Sequence, residues 1–245
     1  MTTEHILILL AGAACGGFVN GFAGFGTSLF ALGWFLQVLP PAQAVAVTLV
    51  LSVASGIQGV IRVRRAINWR RLSWFLLPGL AGIPIGLQLL DLVDAWSLTL
   101  VIGVFMFGYG AFFILRRDLP SIARPTPGVD ASIGFAGGIL GALAGLGGAL
   151  PTVWISMRDW PKEQARAVLQ PYNLIVLGLS AVLLAFAGVY EREVLLSIAV
   201  ALPSTMISAQ IGLWAFGRLN DGAFRRVLVA MTLIGGVVVL GRALI

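Results

Sequence analysis

The sequence predicts an all-α integral membrane protein of eight apolar helical segments in two homologous halves, the first segment of each half broken or re-entrant. Three observations carry that expectation. The 245 residues are 59% hydrophobic and only 11% charged, where a soluble domain carries about 25% charge, and the mean hydropathy is +0.98. The charges gather in short linkers, leaving apolar runs long enough to cross a hydrocarbon core of about 30 Å. A glycine motif occurs twice inside such runs, as GFAGFG at 21–26 and ALAGLG at 142–147.

Taken in order, segment one (6–39) has no charge and holds the first motif. Segment two (42–61) follows Pro40 and Pro41, and the basic linker RVRRAINWRR closes it. Segment three (72–90) contains Pro78 and ends at DLVD; segment four is 95–115. The stretch RRDLPSIARPTPGVD, rich in Pro and Arg, then divides the chain into repeats at 1–118 and 131–245 around a linker at 119–130. Segment five (131–157) holds the second motif and precedes RDWPKEQAR. Segment six (167–189) contains QPYN, segment seven (194–216) contains Pro203, and segment eight is 224–244.

The halves align. A shift of 121 places GGFVNGFAGFGTSLF (16–30) over GGILGALAGLGGALP (137–151), and PPAQAVAV (40–47) over PKEQARAV (161–168). If every segment crosses fully, the repeats are parallel, with ten basic residues inside and six outside. If segments one and five re-enter, fourteen lie inside, leaving only Arg192 and Arg242 outside. The positive-inside rule favours the second arrangement, whose repeats are inverted as in many transporters. Each arm of the fifth segment would then be about 12 residues, too short to span alone.

The motifs suggest chemistry. Irregular backbone at membrane depth is tolerated only where it is buried in protein or lines a wet cavity. A helix broken at AGFGTS or AGLGGA frees N–H groups at the start of the next half-helix, a natural anion site. Gly24 and Gly26, with Gly145, Gly147 and Gly148, permit positive φ and close approach of an anion. Thr27 and Ser28 add hydroxyls at the first break, where the second has Gly148 and Ala149. The competing role for any single glycine is close helix packing, as at Gly12/Gly16 and Gly137/Gly141. Asn20, Thr48, Gln170 and Asn173 are further substrate-binding candidates within apolar segments. For most such polar residues, interhelical hydrogen bonding is the ordinary role. In QPYN, Pro171 loosens the helix beside two amides.

Other classes are excluded or disfavoured. A net charge of +6 does not signal nucleic acid, because the basic residues sit between apolar segments. The single cysteine, Cys15, precludes an intrachain disulfide, and no metal site or cofactor is expected. The start MTTEH lacks the basic region of a cleavable signal peptide. The acidic residues lie in linkers or at segment ends, so no buried carboxylate advertises a proton relay. His5 lies near a terminus, and Arg166, beginning a helix, reads first as a cytoplasmic topology anchor and second as an anion-attracting vestibule residue. No clustered nucleophile or acid–base pair suggests an enzyme.

The order GFVNGFAGFG, LPPAQAVAVT, RVRRAINWR, LLPGLAGIPIG, repeated as GGILGALAGLGGALP, PKEQARAV, LP and IG, resembles the sulfite exporter TauE/SafE family over nearly the whole chain. The resemblance implies a multi-pass permease of the bacterial inner membrane, with a duplicated helical unit. Its implied substrates are sulfite, sulfonates such as sulfoacetate, or small organic acids. Gly24, Gly26 and Thr27, with Gly145, Gly147 and Gly148, match the family's glycine motif, and Ala46–Thr48 reads A-V-T where the family has A-V-x-T. The second copy departs from that pattern, reading Ala167-Val168-Leu169-Gln170. The expected partners are a small anionic substrate and the lipid bilayer, with a homo-oligomer left open. An anion channel, or a membrane assembly factor without transport, is the alternative.

Overall fold

The computed structural model describes residues 2–115, 122, 124–158, 160–219 and 221–244. Parts of the expected 119–130 linker, and the side chains of Arg225 and Arg226, lie outside the described residues. The fold is all-helical, 85% of it, with no strands among the described residues. Ten α-helices occur among those residues, and seven helices are long and apolar enough to cross a membrane.

The first expected segment divides into α1 (Thr3–Ala23) and α2 (Thr27–Phe35). The fifth divides into α6 (Pro127–Ala144) and α7 (Ala149–Ser156). In both pairs the short helix folds back on the long one. A Cβ at Gly16 would meet the Thr27 carbonyl and Ala31, and one at Gly12 would meet Trp34 and Phe35; Gly137 likewise lies against Gly147 and Pro151. The arms are unequal; in the fifth segment they have 18 and 8 residues, which corrects the expectation of two arms of about 12 there. The 21 residues of α1 reach about 31 Å at 1.5 Å per residue, enough to cross alone. Helix α6 gains length by starting at Pro127, a favoured first-turn residue, so Asp130 lies in its first turn.

The remaining helices are α3 (Pro41–Val63), α4 (Trp69–Leu90), α5 (Ala95–Leu115), α8 (Lys162–Phe186), α9 (Arg192–Arg218) and α10 (Asp221–Leu244). A 3-10 turn, Arg64–Ala66, joins α3 to α4. Pro78 and Pro84 lie within α4, Pro171 within α8 and Pro203 within α9.

Glycine seams fix the packing directions. Gly17 meets Thr205, Gly21 meets the Ala209 backbone and Gly212 meets Phe18 and Phe22, so α1 and α9 run parallel. Gly134 meets Phe75, Gly138 meets Gly79 and Gly86 meets Ile139, so α4 and α6 also run parallel. Each contact brings backbone against backbone with no room for a Cβ, the packing that small residues allow between membrane helices. By contrast α3 and α8 are antiparallel, with Gly59 against Gln170, Gly56 against Leu174 and Gly178 against Val53. So are α5 and α10, where Gly103 meets Leu240 and Gly110 meets Leu233.

Two side-chain contacts complete the frame. Gln58 on α3 accepts from Gln210 Nε2 on α9 at 2.8 Å, and Arg71 at the start of α4 donates to Gln164 at the start of α8 at 3.1 Å. Helices α1, α3 and α9 therefore run one way, and α4, α6 and α8 the other. The charges sort with them. One end of the bundle carries Arg62, Arg64, Arg65, Arg70, Arg71, Arg158 and Arg218 with Asp130 and Glu163; the other carries Glu4, Asp91, Asp94, Glu191 and Glu193 with Arg192.

Candidate anion site

Helix α1 stops because Gly24 adopts φ 85°, its N–H closing onto the Asn20 carbonyl at 2.7 Å, and Gly26 at φ 98° precedes α2. Helix α6 stops the same way at Gly145, φ 67°, whose N–H reaches the Gly141 carbonyl at 2.8 Å while that of Leu146 reaches Leu140 at 3.1 Å. These left-handed glycines are the usual helix terminators. No side chain caps the start of either short helix, but the two starts differ. At α7 the Ala149 N–H is taken by the Leu146 carbonyl at 3.0 Å, and Pro151 has none to offer. Helix α2 begins Thr-Ser-Leu with all its amides and so presents the stronger donor set.

The two breaks come together. A Cβ at Gly148 would lie 3.0 Å from the Phe25 Cβ, and one at Gly145 would strike the Ser28 hydroxyl and stand 3.5 Å from Thr48 Oγ1. Helix α8 supplies the third wall. Arg166, Gln170 and Asn173 follow at i, i+4 and i+7, one face of a helix. Gln170 fills the gap between Gly24 and Gly59, and Asn173 stands against Gly147 and Gly148, 3.0 and 2.9 Å from where a Cβ would be. Arg166 lies beside Gly24, donates from Nη2 to the Gly21 carbonyl at 2.9 Å, and has its guanidinium 4.3 Å from the Phe216 ring centre.

These side chains are buried and incompletely paired. Arg166 is 4% exposed and Gln170 2%. Thr27 Oγ1, Ser28 Oγ, Arg166 Nε and Nη1, Gln170 Oε1 and Asn173 Oδ1 have no hydrogen-bond partner in the protein. Some 90% or more of buried polar groups are paired in folded proteins, and each orphan costs about 1–3 kcal/mol. Six such atoms lie around one pair of helix breaks, with one full positive charge among them; the hydroxyls and the guanidinium nitrogens can donate, while the two amide oxygens only accept.

A family model described as sulfite exporter TauE/SafE matches residues 8–239. The chain belongs to that family. TauE/SafE proteins are multi-pass membrane permeases of sulfite-type anions and are not enzymes. No curated relative and no solved structure matches the chain.

Within this TauE/SafE fold the sequence candidates separate. Gly24, Thr27, Ser28, Thr48, Gly145, Gly147, Gly148, Gln170 and Asn173 gather around the breaks. Thr48 spends its proton on the Val45 carbonyl at 2.8 Å and keeps only lone pairs for a neighbour. Asn20 is occupied elsewhere, donating to Ser55 Oγ at 2.6 Å and the Ser52 carbonyl at 3.3 Å, which pins α1 to α3. Gly26 shapes the turn with an apolar outlook on Val19 and Leu29.

Arg166, read from its place near a helix start as a topology anchor or an anion-attracting vestibule residue, is covered by α1 and α9, so its charge points inward. The signal that could have found it is the shared face with Gln170 and Asn173. The expectation about carboxylates also needs amending, since Asp130 is a buried acid. It is paired with Arg158 at 2.8 Å, away from the breaks.

Proposed function

We propose that this protein is a secondary transporter for a small oxyanion, sulfite or a sulfonate such as sulfoacetate, of the bacterial inner membrane. The observation that carries the reading is the set of unpartnered buried polar atoms around the two helix breaks. The anion sits against the first-turn amides of α2 and the hydroxyls of Thr27 and Ser28. Arg166 supplies the countercharge, and the amides of Gln170 and Asn173 turn their donors toward the oxygens. A tetrahedral sulfonate or pyramidal sulfite group, with several oxygens to accept, matches one cation surrounded by neutral donors.

The halves act as inverted repeats. Supporting this reading, α3 packs antiparallel to its counterpart α8 and α5 to α10, while α1 pairs with the counterpart of α4. The end rich in arginine faces the cytoplasm by the positive-inside rule. Transport then proceeds by alternating access, the two hairpins parting first toward one face and then toward the other. Uptake of sulfite, sulfoacetate, taurine and simple carboxylates into proteoliposomes tests the proposal. Saturable flux with counter-transport of sulfite or a sulfonate is the expected result. Absence of saturable flux for every anion in that panel overturns it.

A further inference from the structure

A charged cavity of about 480 Å³ opens near the starts of α4, α6 and α8, apart from the glycine breaks. Arg70, Arg71 and Arg158 line it against a single carboxylate, Asp130. That carboxylate is already engaged, accepting from Arg158 Nη2 at 2.8 Å and from Trp154 Nε1 at 2.6 Å. Arg158 is only 7% exposed, and its Nε has no acceptor in the protein. Arg71 lies over the Trp160 ring at 4.9 Å. Three parallel helix starts add their positive ends. The positions 121 residues before Asp130 and Arg158 are Leu9 and Gln37, so the helical unit does not itself demand this charge.

Arg70 heads an exposed stripe on α4 that continues through Trp74, Leu77, Ile85 and Leu89, which are 48, 66, 41 and 38% exposed. The stripe faces hydrocarbon, and an exposed indole beside arginines marks the headgroup level. We infer that this cavity binds the phosphate of an anionic membrane lipid, whose acyl chain lies along the α4 stripe. The apolar track continuous with the arginines favours a lipid over a free anion, which would use the charges and leave the track bare. Each basic residue at the surface strengthens the attraction of anionic lipid by about fivefold.

Native mass spectrometry on protein released from nanodiscs of mixed phosphatidylglycerol and phosphatidylcholine tests the assignment. Wild type retains phosphatidylglycerol, and excess inorganic phosphate does not displace it. The Arg70→Gln/Arg71→Gln variant, altered only at exposed side chains, loses that adduct by roughly tenfold or more. Arg218→Gln, an exposed arginine at the same end of the bundle, retains it. Equal retention of both lipids, a wild-type adduct in the double variant, or displacement by phosphate or sulfite overturns the assignment; displacement would make this a free-anion site.

Discussion

Replacing Arg166 with glutamine is the sharpest probe of the anion cradle. The change removes the positive charge while leaving a planar amide able to keep one donor near the Gly21 carbonyl. In the native protein Nε and Nη1 are unpartnered, so two nitrogens are free to donate to a bound anion. A hydrogen bond to a charged group contributes about 1.5–3 kcal/mol. Losing the charge and at least one such bond weakens binding by about 2–4 kcal/mol, or roughly 30- to 700-fold. The readout is the concentration dependence of radiolabelled sulfite uptake into proteoliposomes at fixed ionic strength. The half-saturating concentration rises by that factor, and lysine restores part of it because it returns the charge without the planar fork. Size-exclusion chromatography of the purified variants checks that the fold is kept. A well-folded glutamine variant that saturates at the wild-type concentration would refute the role given to Arg166.

The other expectations are quickly stated. Gly145→Ala places a Cβ on the Ser28 hydroxyl and forces alanine into a left-handed conformation costing about 1–2 kcal/mol; uptake falls sharply, while Gly128→Ala, with open space around it, is silent. Tyr172→Phe removes the buried bond to the Gly134 carbonyl at 2.7 Å and lowers stability by about 1–3 kcal/mol, measured as thermal unfolding in detergent. Asp130→Asn removes the countercharge of the buried Arg158 guanidinium, which keeps its bonds to the Arg124 carbonyl and Thr126, and thermal unfolding shows a loss of up to about 3 kcal/mol.

The sequence revealed the helix breaks more readily than it revealed the walls around them. Gly24 and Gly145 were legible because paired glycines in a charge-free run have few purposes, and positive φ is foremost among them. Thr27 and Ser28 followed by adjacency. Arg166 read first as an anchor because its surroundings come from Gly21 and Phe216, far away in the chain, and a charge near a helix start ordinarily faces water. Asp130 escaped notice as a buried acid for the same reason, since its partner Arg158 lies 28 residues on. The unequal hairpin arms were missed because hydropathy marks where a run is apolar. It does not mark where a proline such as Pro127 can start a helix beyond that run.

The parallel seam between α1 and α9 bears on biosynthesis. Gly21 leaves the ribosome about 190 residues ahead of Gly212, a delay of about 10–40 s at 5–20 residues per second. Throughout that interval the nascent first hairpin waits in the bilayer without the neighbour that its smallest residues are shaped to receive. Completion of the fold is thus deferred until the penultimate helix is inserted, and a chain truncated before α9 leaves that hairpin unclasped.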